Sequence, residues 1–314
     1  MAADHRTISP RRPSPPPDAF HPQDAESARS ADGVFLAFDP DGEWFPDRNA
    51  RGRPARAAAA KSLARLLAPL GPSVRFQPCR AYPGNPWQRA AAFDTVVFGE
   101  GDPGERAGAP AAFDAAWQYA RKHGRGVTLV VDRRRAPGEA AATPDRLAAA
   151  RAIARDFPQI AYEEADGAEL LASESFAARA SRDIFIASGS AGGRFAARVA
   201  DQVGGAGFVP SARFGGETAI VESGLAGSRR GPAAARHAPI AALLGAALLC
   251  EWLGETGRGA RIERAVAAAI ADGLPEFRDR TAAARARRAA DAAEAIAQRV
   301  TPQSTRSAGA RSPA

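Results

Sequence analysis

Cysteine is nearly absent from this chain: Cys79 and Cys250 are the only two in 314 residues. Two cysteines without metal-like spacing argue against a cysteine-built metal site, and a reduced, cytoplasmic setting is expected. Lysine is as scarce. Lys61 and Lys122 are the only lysines among 42 basic side chains, so nearly all the positive charge is arginine. Long apolar runs are missing too. The longest candidate, residues 240–252, is interrupted by Gly245, Cys250 and Glu251 and is too short to span a bilayer. No apolar signal-peptide core follows Met1. The chain opens on a Pro- and Arg-rich stretch through Pro17, so neither secretion nor membrane insertion is expected. Signatures of common chemistries are lacking as well. Gly189-Ser-Ala-Gly-Gly193 does not have GxGxxG spacing and no GK[ST] follows it, His123 and His237 stand isolated, and no Ser/His/Asp elbow occurs.

What is present suits a globular protein. The length allows one large or two small domains, and 45% hydrophobic residues suffice for a core. A net charge of +7 raises a nucleic-acid reading. The arginines are spread along the chain, however, and the one concentration, residues 278–288, reads as a solvated helical face. Nucleic acid is therefore not the expected partner, and salt-dependent binding is the check on that exclusion.

The organisation is strand–helix alternation. Residues 1–30 are Pro-, Ser-, Asp- and Arg-rich without apolar periodicity and read as disordered. Residues 34–38 read as a strand before an Asp39-Pro-Asp-Gly42 turn, and residues 57–70 as a helix with Leu63, Leu66, Leu67 and Leu70 on one stripe. Strands follow at 74–79, 95–98, 126–131, 160–162 and 183–187. Helices follow at 111–122 (closed by Gly124), 144–156 (capped by Thr143), 168–178, 195–203, 240–253 and 262–271. Two glycine turns flank the 195–203 helix. Residues 281–300 are helical by propensity, with an alanine-rich face that offers little to pack. Residues 301–314 read as disordered. The alternation predicts an α/β layered fold with a largely parallel sheet.

Several ungapped segments carry a resemblance to a known family. They are Phe76-Gln-Pro-Cys-Arg-Ala-Tyr-Pro-Gly84, Phe93-Asp-Thr-Val-Val-Phe-Gly-Glu-Gly101, Val127-Thr-Leu-Val-Val-Asp132, Gln202-Val-Gly-Gly-Ala-Gly207 with Pro210 and Ala212, and Val221-Glu222 followed by Ala238-Pro239-Ile240. Over residues 62–275 the chain resembles the isocitrate/isopropylmalate dehydrogenases, metal- and NAD(P)-dependent β-decarboxylating enzymes, with a tilt toward the isocitrate branch. The resemblance implies two interleaved α/β domains, the first strands of the large one being missing or altered. Residues 75–210 would form the small, dimer-forming domain. Residues 31–74 and 211–275 would form a shortened large, nucleotide-side domain, with residues 276–314 as an Ala/Arg-rich tail.

The resemblance also marks what has changed. The substrate-touching hydroxyl is retained as Ser62. Two substrate arginines fall at Gln77 and Gly99, the proton-donating tyrosine at Arg106, and the catalytic lysine at Asp132. Two of the three metal aspartates fall at Gly193 and Ala197, and the third is matched by Asp166, which also reads as a solvated carboxylate at a helix start. On the nucleotide side, the family loop falls at Glu222, Leu225 and Ala238. Groups that act as a unit in catalysis are not replaced one at a time. The expectation is therefore a non-catalytic homologue without cofactor, working as a homodimer or beside an active paralogue. The alternative is an active NAD(P)- and Mg²⁺/Mn²⁺-dependent dehydrogenase of isocitrate or another 2-hydroxy acid, with a substrate site rebuilt from Arg80, Arg106, Arg133, Arg134 and Arg194.

Overall fold

A computed structural model describes residues 30–36, 74–100, 108–132, 143–215, 218–222, 238–273 and 282–300, together with Glu26 and Ala28. Its centre is one eight-stranded sheet. In chain order the strands are β1 (Gly33–Leu36), β2 (Val74–Arg80), β3 (Asp94–Glu100), β4 (Gly126–Val131), β5 (Tyr162–Asp166), β6 (Asp183–Ile186), β7 (Ser211–Gly215) and β8 (Thr218–Glu222). Their spatial order is β1-β8-β7-β2-β3-β6-β4-β5.

The sheet is mixed rather than largely parallel. β3, β6, β4 and β5 run parallel to one another, as does β1 with β8, whereas β2–β3, β2–β7 and β7–β8 are antiparallel. The parallel part follows from composition: Ile184, Phe185 and Ile186 of β6 are all fully buried, as a strand covered on both faces requires. The antiparallel β7–β8 hairpin escapes a hydrophobicity search because Ser211, Arg213, Thr218 and Glu222, all buried, sit within it.

Side chains alternate between the two faces of a strand. Val96, Phe98, Ile184 and Ile186 meet α1 (Gly108–His123) and α2 (Thr143–Asp156), where Phe113, Trp117 and Ala150 are buried. Val97 and Phe185 point the other way, toward α3 (Gly167–Ala172), α4 (Phe176–Ala180) and α5 (Gly189–Ala200), where Leu170, Phe176, Phe195 and Val199 are buried. The stretch expected to be one helix at 168–178 is split because Ser173 and Ser175 bond to each other and Ser173 Oγ accepts from the Ser175 N–H, competing with the helical ladder.

A third cluster joins α6 (Ala238–Trp252), α7 (Thr256–Ala271) and α8 (Ala282–Val300) around Ile240, Leu244, Val266, Ile270 and Ile296. The described part of the alanine-rich tail, α8, is thus a packed helix, anchored by Ala292 and Ile296. Gly84 shows why glycine stands in the turn after β2: its φ is 88°, and a Cβ there would lie 2.8 Å from the Ala271 backbone. The described helices include none long and apolar enough to cross a membrane.

Candidate functional site

The helix that follows β4, α2, packs on one face of the sheet, whereas the helices that follow the neighbouring strands β5 and β6 (α3, α4 and α5) pack on the other. Connections that part to opposite faces open a crevice at the carboxyl ends of parallel strands, where α/β proteins bind ligands. A cavity of about 300 Å³ lies there. Leu129, Val131, Leu147, Leu171 and Phe195 contribute apolar walls; Asp132, Arg146, Ser188, Arg194 and Arg198 contribute the polar lining.

The opening turn of α5 is part of this wall. The segment Gly189-Ser-Ala-Gly-Gly193, expected as a glycine turn, is helical. Gly192 serves close packing rather than a loop: a Cβ on it would lie 2.5 Å from the Ala187 backbone carbon, so the helix starts directly against the end of β6. Ser188 is the N-cap residue, with extended φ and ψ of −129° and 162°, and its backbone carbonyl accepts from the Gly192 N–H at 3.0 Å.

The candidate residues read from sequence are only partly gathered here. Asp132 follows β4 directly and lines the cavity, with Arg194 Nη2 3.4 Å from its carboxylate. Asp166 is the next strand's end, paired in register with Val131. It is not a solvated carboxylate: it is 6% exposed, and its Oδ1 accepts the Ala168 N–H at 2.9 Å and the Glu169 N–H at 3.2 Å, capping α3. Gly193 and Ala197 lie on the exposed side of α5, and nothing stands within 4 Å of a Cβ built on Gly193.

Gln77 and Gly99 are not among the residues that line the cavity. Gln77 Nε2 donates to the Ala196 carbonyl at 3.3 Å, tying β2 to α5. Gly99 lies flat in β3, where a Cβ would stand 3.2 Å from the Ala187 carbonyl oxygen. Arg80, one of the arginines proposed to rebuild a substrate site, is paired with Glu263 and Asp94 instead. Ser62, Arg106, Arg133, Arg134 and Leu225 fall outside the described residues.

Of the positions expected on a nucleotide side, Glu222 ends β8 at 1% exposure, with Arg213 Nε 3.0 Å from Oε1. Its carboxylate is committed to a buried ion pair across the hairpin. Ala238 opens α6 and carries no polar group.

The resident metal of the resembled family does not fit these residues. Gly193 and Ala197 have no side-chain donor atoms, and the Asp166 Oδ1 is occupied by backbone N–H groups. Among the described residues no group of three or more His, Cys, Asp or Glu is placed to hold a metal ion. A thiol nucleophile is not offered at Cys79 either, since burial pushes it up to about 12. Sequence reasoning missed Ser188, Arg146 and Arg198. A serine directly before a helix is an N-cap signal, but the glycines behind it were read as a loop.

No family model matches the chain, and no curated protein sequence matches it. Solved structures do resemble it. The isocitrate dehydrogenase from Methylococcus capsulatus is 22% identical, with a TM-score of 0.58, over 74% of this chain and 73% of that one. The TT0538 protein from Thermus thermophilus is 20% identical, with a TM-score of 0.65, over 92% of this chain. The chain spans 60% of that protein's length. These likenesses establish an α/β dehydrogenase-like fold.

Proposed function

We propose that this chain is a non-catalytic relative of NAD(P)-dependent isocitrate dehydrogenase that works as a partner or regulatory subunit, paired with itself or with an active paralogue. The observation that carries the reading is the state of the metal positions. Two have lost their side-chain donors at Gly193 and Ala197, and the remaining carboxylate, Asp166, is buried and consumed as a helix cap. Decarboxylation through an enolate needs a cation at the developing charge, and this chain offers no ligands for it there. The proton-transfer position supports the same reading, because Asp132 is an acid held by Arg194 rather than a lysine.

Pairing through residues 75–210 is supported by the outward side of α5, where Gly193, Arg194, Ala197 and Arg198 are exposed. Small residues at Gly193 and Ala197 let a second helix approach closely, and the arginines suit an acidic counterpart. The experiment is sedimentation velocity of the full chain at about 10 μM, alone and mixed with an active isocitrate dehydrogenase. A dimer, or a mixed species that Ala197→Arg weakens, supports the proposal. A monomer unchanged by the active enzyme overturns it.

A further inference from the structure

β1 and β2 point the same way along the sheet. β1 is parallel to β8, β8 is antiparallel to β7, and β7 is antiparallel to β2. β8 and β7 lie between them. Residues 37–73, which join the two strands and lie outside the described residues, therefore make a crossover between parallel strands. Such crossovers are right-handed in nearly all proteins. The other half of the sheet shows which face that hand selects. The steps β3–α1–β4 and β4–α2–β5 both go toward the β5 edge, and both helices pack on the face of Phe98 and Ile186. β1 and β2 run opposite to those strands, since β2 and β3 are antiparallel. The step from β1 to β2 goes toward the same edge, so a crossover of the same hand passes over the opposite face.

That face is covered, although no described helix packs on it over β7 and β8. In register across the strands, Val34, Ile220, Arg213 and Arg75 share it, whereas Val221 shares the face of Phe98. α6 packs on the Val221 side, where a Cβ on Gly245 would lie 2.6 Å from the Val221 side chain. α5, on the Ile220 side, packs against β2 and β3. Ile220 is nevertheless 1% exposed and Arg213 4%. An isoleucine on a bare sheet face would stand open to water, so a further segment lies over it.

We infer that the Ile220 side of β7 and β8 is the docking face of residues 57–70 of the same chain, seated through Leu63, Leu66, Leu67 and Leu70. These leucines fall on one stripe at helical spacing, and Gly71-Pro72 stops a helix just before β2 begins at Val74. A helix over residues 57–70 is about 21 Å long, enough to cover β8, which is about 17 Å. Residues 223–237, which follow β8, have Leu225 as their only large apolar side chain and cannot supply such a stripe. The docked segment also keeps water from the buried Arg213–Glu222 pair. This packing uses neither the metal positions nor the outward side of α5, so it stands or falls independently of the function proposed above.

The test has two arms, both on the full chain. In the first, p-benzoylphenylalanine replaces Leu63 or Leu67, and photo-adducts are mapped by mass spectrometry. Adducts are expected within residues 211–222 or in β1. In the second, thermal melts follow a double-mutant cycle. Leu67→Ala and Ile220→Ala should each lower the midpoint by ~5 °C. The double variant should fall short of their sum by ~2 °C or more, because both changes remove one shared contact. Lys61→Gln, off the stripe, should stay within ~1 °C. Where Ile220→Ala fails to fold, Ile220→Val completes the same cycle with proportionally smaller shifts. Adducts in α6, adducts only between chains, no adduct from either position, or strict additivity of the two substitutions would each overturn the inference.

Discussion

Phe195 stands two residues beyond Gly193 on α5, and the structure turns it inward. It is 3% exposed, with the Phe185 ring edge-on at 5.3 Å and the Phe176 ring at 6.4 Å. Removing the ring in Phe195→Ala deletes a core aromatic between α5 and β6, for which Phe→Ala substitutions typically cost about 3–5 kcal/mol. The tight seating of α5 on the Ala187 backbone limits collapse into the space, so the cost belongs near the middle of that range, about 4 kcal/mol. Against a total stability of roughly 5–15 kcal/mol, that is a large fraction. Phe195→Leu, which retains most of the volume, should cost about 1.5 kcal/mol. Urea unfolding followed by fluorescence of the buried Trp117 reads both. With an m value near 3 kcal/mol/M, the alanine variant should lower the midpoint by about 1.3 M. Ala197→Ser, on the exposed side of the same helix, should stay within about 0.5 kcal/mol. If Phe195→Ala cost less than about 1 kcal/mol while weakening self-association, the ring would belong to a subunit interface and this packing argument would be refuted.

Other outcomes follow from the same geometry. Asp166→Ala removes the cap of α3 and should cost about 1 kcal/mol in the same urea assay, and a neutral result would mean the carboxylate does not cap. Glu222→Gln leaves Arg213 buried without its counter-charge and should cost about 3–5 kcal/mol. Arg213→Met with Glu222→Leu should recover most of that loss, because a matched apolar pair avoids desolvating two ions; thermal melts of both variants decide it. Cys79, pushed up by burial from its ordinary value near 9 to about 12, should resist iodoacetamide at pH 8 in the native chain and react after denaturation. Because its folded value is the raised one, its contribution to stability is complete below pH 9 and is lost as pH rises toward 12. Rapid native labelling of Cys79, read by mass spectrometry, would contradict its burial.

The parallel half of the sheet was legible because β4 and β6 are continuous apolar runs bounded by helices, and burial on both faces demands such runs. The β7–β8 hairpin was not. Its buried Arg213 and Glu222 look like loop residues until they are seen to neutralise each other. The start of α5 was hidden by a real ambiguity of glycine, which marks turns more often than close helix–strand contact. The glycine at 192 is there for the contact. The strand expected at residues 160–162 runs instead from Tyr162 to Asp166, through Glu163 and Glu164. These carboxylates are answered by Arg179 and Arg151 from neighbouring elements, pairings that no local pattern announces. The same limit applied to the candidate site. Asp132 was found by resemblance, but Arg146, Ser188 and Arg198 line the same cavity only through the topology, from α2, the N-cap of α5 and its last turn.

The central claim is that the scaffold persists without the metal-dependent chemistry that the family resemblance implies. The direct measurement is turnover of the purified full chain with isocitrate, Mn²⁺ and either dinucleotide, combined with calorimetric titration of Mn²⁺ in the presence of isocitrate. The account predicts no dinucleotide reduction above a blank and no saturable Mn²⁺ heat. Asp132→Lys alone should change neither, since Gly193 and Ala197 still offer no ligands. Turnover near ~1 s⁻¹, an ordinary enzyme rate, with stoichiometric Mn²⁺ binding would contradict it.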